Sequence, residues 1–353
     1  MLSPSAGATT TPDPEAGPLA VLRPWLERAA GRPIVLAVSG GPDSMAMMHL
    51  AASAGVTAAM LHVATVDHGL RDEARAEAEA VVEQARLLGL PAHVLAWTGP
   101  KPASRIQAAA REARYRLLFA EAGRLGAGCV MSAHTLDDQA ETVLQRLVHG
   151  SGLRGLGAIR PERRIGEVAL VRPLLDVPKA VLLELCRAQG WPYFSDPSNQ
   201  DIRYGRVRVR AIMRALAGEG LTADRLATVA QRLQRAEQAL EHQAEAAARR
   251  LMHSTGHGLI AIDTVGFLAE PEEIRIRLLL RAAGAVTGEA AAEPRLERAE
   301  AAERRIAALA PGARLRASFG GALFTVAKGE IVFGREPERR RGRAPEAAEK
   351  SPS

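Results

Sequence analysis

The chemistry in this chain is concentrated in one short run, Ser39-Gly40-Gly41-Pro42-Asp43-Ser44. Two hydroxyls and a carboxylate are carried on a glycine turn, where the backbone can take positive φ angles and approach a ligand closely. The residues before it, Ile34 to Val38, are apolar and rich in β-branched types, as the middle of a parallel sheet requires. The residues after it open a helix at about Asp43, with Met45, Met47, Met48 and Leu50 as its apolar positions. A helix that begins at such a turn aims backbone N–H groups and the positive end of its dipole at the loop, which makes an anion site. A Walker A loop needs a lysine after its last glycine, and this loop has none. A Gly-Gly turn alone would suit any strand-turn-helix corner; two serines and an aspartate favour bound phosphate.

Other candidate groups follow at intervals. Asp67-His68-Gly69 closes a second apolar run, Ala59 to Val66. His134 precedes Asp137, Asp138 and Glu141 in the first turns of a helix. Acids there complement the dipole, but two adjacent aspartates and a glutamate exceed what a cap needs, and they suit Mg²⁺ held against phosphates. Asp137 and Asp138 cannot face one point on a helix, so one is expected at the site and the other as a cap or orienting group. Arg111 and Arg114 lie three apart on one helix face. They form either a solvated stripe or a pair of guanidinium groups for phosphate or for charge developing at a reaction centre. Arg203, Arg206, Arg208 and Arg210, with Tyr204 among them, form a strip suited to a nucleic-acid backbone; a charged helix start or an edge strand is the plain alternative.

The elements that must position these groups alternate. A short helix, Leu19 to Ala30, precedes the first strand. Further strands are expected at 59–66, 92–97 and 129–132, and helices at 72–88, 104–125, 136–148 and 177–189. This order predicts a doubly wound parallel sheet with right-handed crossovers and helices on both faces. Ligands in such folds bind at the carboxyl ends of the strands, near the switch point, so the glycine loop, Asp67-His68 and His134 should converge there. Gly150-Ser-Gly152-Leu-Arg-Gly155 matches the dinucleotide fingerprint, but it follows a helix where a strand is required. From Leu221 the character changes. A long polar helix to about Met252 reads as a connector, followed by a loop at 254–259, helices at 267–283 and 294–309, and two or three short strands between Arg314 and Arg335.

Composition sets the bounds. A chain of 353 residues can bury two cores. A net charge of +6 permits a nucleic-acid partner. Only four of the basic residues are lysines, at 101, 179, 328 and 350. Two cysteines far apart, Cys129 and Cys186, argue against a disulfide framework, a zinc ribbon or an iron–sulfur cluster. With no apolar run of membrane length and no signal-peptide core, a reducing cytoplasm is the expected setting.

Read in order, S-G-G-P-D-S, V-D-H-G-L-R, A-A-R-E-A-R-Y, H-T-L-D-D-Q-A-E-T, L-V-H-G-S-G-L-R-G-L, R-P-L-L and D-P-S-N-Q-D-I-R-Y-G-R-V-R-V-R run from about Ile34 to Arg214 without a missing block. The loop resembles the PP-loop of the N-type ATP pyrophosphatases, and the whole series resembles the bacterial tRNA(Ile)-lysidine synthetase family. One departure is Val207, where the commoner motif has asparagine. The resemblance implies an α/β fold, a doubly wound parallel sheet of the adenine nucleotide alpha hydrolase-like kind, followed by a smaller helical or α+β substrate-binding domain. It implies a catalytic domain over 19–216 and a connector with a tRNA-binding domain over 217–335, with disordered tails at 1–18 and 336–353. A further C-terminal domain of some members is expected to be absent. It implies ATP and Mg²⁺ as cofactors. The partners would be isoleucine tRNA with a CAU anticodon and free L-lysine, with no membrane and a homodimer compatible with the fold. Ser39, Gly40, Gly41, Pro42, Asp43, Ser44, His68 and His134 would bind the nucleotide. Asp43, Asp137 and Asp138 would hold metal, and Asp43, Arg111, Arg114, Asp137 and Asp138 would take part in catalysis. Arg203, Arg206, Arg208 and Arg210 would contact tRNA. The rival readings are a tRNA sulfur-transferase, which generally needs paired cysteines or a cluster, a small-molecule synthetase, and a non-catalytic RNA-binding protein.

Overall fold

The computed structural model describes residues 16–29, 31–70, 73–102, 104, 106–194, 205–288 and 296–336. Most of the two expected tails, and the Asp196-Pro-Ser-Asn turn with Arg203, lie outside these residues. The chain divides into two compact units, Met1–Gln234 and Arg235–Ser353.

In the first unit, strands and helices alternate as β1 (Ile34–Ala37), α2 (Pro42–Ser53), β2 (Leu61–Asp67), α3 (Glu73–Leu87), β3 (Ala92–Ala96), α4 (Ile106–Arg124), β4 (Cys129–Ser132) and α5 (Leu136–Val148), after an initial α1 (Ala16–Arg28). Helix α1 therefore begins inside the segment expected as a tail. The sheet order is β3-β2-β1-β4, continued by β6 (Val168–Val171) and β5 (Glu162–Ile165). All neighbours are parallel except β5 and β6. The order reverses between β1 and β4, so the switch point opens directly above them.

Alternation along β1 divides its side chains between two cores. Ile34 and Leu36 join Leu61, Val63 and Met131 under α1, α2 and α7 (Lys179–Gln189), whereas Val35 joins Ala64, Val130 and Leu170 under Leu118 and Ala122 of α4. Burial on both faces explains why the strand reads as continuous apolar sequence. The β5–β6 hairpin has no counterpart in the expected elements. Glu162-Arg-Arg-Ile165 is mostly exposed and charged, as an edge strand is, and such a segment lacks an apolar period. Helix α6 (Leu153–Leu156) is a single turn after α5, so the glycines at 150–155 do follow a helix. Helix α8 (Gly205–Ala217) carries part of the arginine strip. Helix α9 (Ala223–Leu251) runs from the first unit into the second.

The second unit has an antiparallel sheet in the order β7-β8-β11-β10-β9. Its strands are β7 (Met252–Gly256), β8 (Leu259–Asp263), β9 (Leu315–Phe319), β10 (Ala322–Ala327) and β11 (Glu330–Arg335). The expected loop at 254–259 is in fact the tip of a hairpin. His257 and Gly258 both have positive φ, 51° and 74°, as the tight turn between two strands requires. The expected helix 267–283 is two helices, α10 (Thr264–Ala269) and α11 (Glu272–Thr287), because Pro271 supplies no N–H and stands as the N-cap of the second. With α12 (Leu296–Ala307) they cover a core centred on Phe267, Phe319, Phe324 and Phe333. No helix among the described residues is long and apolar enough to cross a membrane.

Candidate active site at the carboxyl edge of the parallel sheet

The glycine loop is closed by its own side chains. Val38 still follows the sheet, donating its N–H to Ala64 O at 3.0 Å. Ser39 N–H donates to Ser44 Oγ at 3.1 Å, and Ser44 Oγ donates to Gly41 O at 3.0 Å. Ser44 is buried, so its hydroxyl braces the turn, while Ser39 is exposed at the mouth. Only one glycine uses the left-handed region: Gly40 has φ +84°, whereas Gly41 is extended at φ −71°, ψ 161° as the N-cap of α2. Pro42 fills the first helical position, where an N–H would have no helical partner. Gly40 is enclosed: its carbonyl accepts from Phe194 N at 2.8 Å, and a Cβ there would meet the Phe194 ring at 2.9 Å.

Three helix starts meet at this loop. Asp43, in the first turn of α2, has one carboxylate oxygen 2.9 Å from Lys179 Nζ at the start of α7. The other, Oδ1, is buried with no hydrogen-bond partner among the described residues. Burial raises the Asp43 carboxyl above its ordinary range, Lys179 opposes that rise, and Asp138 and Asp137 add to it. The two α5 aspartates divide their work. Asp138 forms a reciprocal capping box: Thr135 N–H donates to its carboxylate at 3.0 Å, and the Thr135 hydroxyl accepts from Asp138 N–H. Asp137 reaches across to α7 and accepts the Lys179 backbone N–H at 2.8 Å. His134 precedes this helix, with Nδ1 3.0 Å from Ser132 Oγ.

The β2 edge supplies the next group. Asp67 accepts from Gly69 N–H at 2.8 Å, an Asx turn that fixes His68. The His68 ring lies edge-on to Trp97, and its Nε2 is 3.4 Å from Arg114 Nη2 of α4. Burial, then Arg114, pushes the imidazole down to about 4, so it is neutral at pH 7. Arg114 and Arg111 are both exposed on α4, with Arg111 over the Tyr115 ring at 5.2 Å. Structure thus brings Arg114 to His68, and gathers Asp43, Asp137 and Asp138 around one loop.

The arginine strip is described only in part. Side chains of Arg203 and Arg206 lie outside the described residues. Arg208 is exposed on α8. Arg210, expected to contact tRNA, has its Nε 2.5 Å from Glu141 Oε1, a carboxylate only 4% exposed. Desolvating Glu141 in α5 demands a cation, and Arg210 one helix away meets that demand. Sequence reasoning missed Lys179 altogether. The available signal was its type, one of four lysines in an arginine-dominated chain.

The donor set suits a shared metal rather than a protein cage. Among the described residues, no three His, Cys, Asp or Glu side chains form a group able to hold an ion. Mg²⁺ takes one or two carboxylates and completes its shell with water and phosphate oxygens. Asp43 Oδ1, a buried and unpartnered oxygen at a phosphate-type loop, fits that role. The cysteines do not suit sulfur transfer: Cys129 and Cys186 are buried, and burial pushes both thiols up to about 11.

Comparison with known proteins places the fold that carries this loop. Residues 20–216 match the family model described as a PP-loop domain. A protein named tRNA(Ile)-lysidine synthase from Methylobacterium nodulans is 51% identical over 321 residues, covering 90% of this chain and 94% of its own length. One of the same name from Bradyrhizobium sp. is 45% identical, covering 87% of this chain and 91% of its own length. Among solved structures, the U34-tRNA thiolase NcsA from Methanococcus maripaludis superposes with a TM-score of 0.51 at 18% identity, over 62% of this chain and 79% of that one. That likeness concerns the fold alone.

Proposed function

This chain belongs to the tRNA(Ile)-lysidine synthase family within the PP-loop proteins, and from that premise we propose how its site forms lysidine. The substrates are ATP, an isoleucine tRNA with a CAU anticodon and free L-lysine. In the first half-reaction the carbon-2 oxygen of the wobble cytidine attacks the α-phosphorus of ATP. A new O–P bond forms, the bond to the bridging oxygen breaks, and pyrophosphate leaves. In the second, the amine of lysine attacks carbon-2, a proton is released, and AMP departs with the original oxygen.

Residues 39–44 and the N-terminus of α2 hold the pyrophosphate part as a leaving group, with the Ser39 hydroxyl and the Gly40 and Gly41 backbone nearest it. Mg²⁺, when bound by Asp43 with Asp137 and Asp138 beside it, supplies charge neutralisation at the triphosphate. Arg114 and Arg111 offset charge developing at the α-phosphate. Neutral His68 orients Arg114 without adding a second cation. Arg203, Arg206 and Arg208 contact the tRNA backbone, and identity is read in unpaired bases. A reducing cytoplasm is the setting that suits two buried thiols.

The observation that carries this reading is the loop of Ser39 to Ser44 with Asp43 beside Asp137 and Asp138, in a chain 51% identical to a protein named for the reaction. The test is transfer of radiolabelled lysine from a mixture with Mg-ATP into isoleucine tRNA bearing CAU, beside methionine tRNA with the same anticodon. Stable label in the isoleucine tRNA alone, with one pyrophosphate per lysine, is expected. Pyrophosphate release without lysine incorporation would move the function to another nucleophile.

A further inference from the structure

One cation beside Asp43 has no part in the steps above. Lys179 is the first residue of α7, and it touches two of the three aspartates: Asp43 through its ammonium and Asp137 through its backbone N–H. Its backbone is fixed from both sides. Leu136 N–H donates to Val177 O at 3.0 Å, tying the start of α5 to the segment before α7. Cys186 Sγ donates to Pro42 O at 3.4 Å, tying α7 to the start of α2. The side chain, by contrast, is 41% exposed and long. An ammonium is a compact point charge on a rotatable stem, whereas a guanidinium would grip the carboxylate with a two-pronged fork. In a chain with four lysines, the residue type placed here is the one that can let go.

Asp43 is 16% exposed and faces two further carboxylates, so an ionised Asp43 needs a positive neighbour even when no metal is bound. A divalent cation on the same carboxylate would repel an ammonium held 2.9 Å from it. The two cations therefore compete for one group.

We propose that Lys179 is a tethered counter-cation that neutralises Asp43 in the nucleotide-free protein and is displaced when metal binds. This rests on the reading of Asp43 as a metal carboxylate. Lys179 is then a positioning residue: it holds the Asp43 carboxylate through Oδ2 and leaves Oδ1 for the ion. It also makes metal alone bind weakly, so that the ion arrives with the nucleotide.

The test uses the full chain without nucleotide, at pH 8. The reactivity of each lysine toward a succinimidyl acetate reagent is read by peptide mass spectrometry, with Lys328 as the internal reference. Reactivity of Lys179 should rise several-fold as Mg²⁺ alone is titrated to the concentration that saturates the Mn²⁺-competing site; no change at saturation overturns the proposal. In parallel, Mn²⁺ binding is measured by electron paramagnetic resonance. Lys179→Met should tighten it about tenfold, ~1.4 kcal/mol, with unfolding curves confirming an intact fold. Unchanged or weaker binding overturns the displacement. Asp43→Asn should abolish the Mn²⁺ site; if that variant binds Mn²⁺ as well as the natural protein does, the metal reading of Asp43 itself fails, which is a separate result.

Discussion

Replacing Gly40 by alanine tests the loop geometry most directly. Its φ of +84° is strained for any residue with a Cβ, which costs about 1–3 kcal/mol. The new Cβ would also lie 2.9 Å from Phe194 Cδ2 and 3.3 Å from Val81 Cγ2. Overpacking of this kind costs a further ~1–3 kcal/mol, because Phe194 is held by its own N–H on Gly40 O. The sum, about 2–6 kcal/mol, is a large part of the 5–15 kcal/mol that holds a domain folded. Gly41 is the internal control. It is extended, and a Cβ there would meet nothing closer than Ser39 Oγ at 3.9 Å. Gly41→Ala should lose at most about 1 kcal/mol, the difference between glycine and alanine at an N-cap. Both variants are expected to bind ATP poorly, since either methyl approaches the phosphate path, so activity alone would not separate them. Urea unfolding followed by tryptophan fluorescence does. All three tryptophans, Trp25, Trp97 and Trp191, belong to the first unit, so the signal reports on that unit. With a slope of about 2–3 kcal/mol per molar urea, Gly40→Ala should lower the midpoint by roughly 1–3 M and Gly41→Ala by a few tenths. Equal midpoints for the two variants would refute the assignment of strain to Gly40.

Three further outcomes are expected. Arg210→Met should destabilise the first unit by about 3 kcal/mol, because it removes a cation from the buried Glu141 carboxylate. Adding Glu141→Gln should restore part of that loss in a double-mutant cycle, and strict additivity would refute a coupled pair. Burial lowers His49, stacked on Trp191 with ring centroids 4.4 Å apart, to about 4. A base whose folded pKa lies below its unfolded value of 6.5 contributes full stability above pH 6.5 and loses it as pH falls toward 4. His49→Phe, which keeps the stacking, should flatten that acid limb, and an unchanged slope would sink the assignment. Arg208→Ala should lower the salt slope of tRNA binding by about one, whereas Arg210→Met should leave it nearly unchanged, measured by filter binding across a salt series.

What the sequence alone determined is what short-range physics determines. The strand, glycine loop and helix from Ile34 to Ser53 were legible because burial on both faces, a turn residue and an apolar helix follow each other without interruption. The bounds of helix α5, 136–148, were legible, since acids crowd its first turns; the Thr135–Asp138 capping box was seen only in the structure. Helical geometry separated Asp137 from Asp138, and in the structure each bonds a helix start, Asp137 that of α7 and Asp138 its own. Likewise the α/β alternation already placed Ser39, His68 and His134 at one edge of one sheet. Tertiary structure alone decided which distant groups meet there. His68 with Arg114, Asp137 with Lys179, and Arg210 with Glu141 are pairs 46, 42 and 69 residues apart. No local pattern encodes such pairs, because a lone charged side chain looks the same whether it faces solvent, a phosphate or a buried carboxylate. The burial of Glu141 put Arg210 on a carboxylate, and the meeting of α2, α5 and α7 put Lys179 on Asp43. Desolvation sets the charge each group must find, and only the packed fold sets the desolvation.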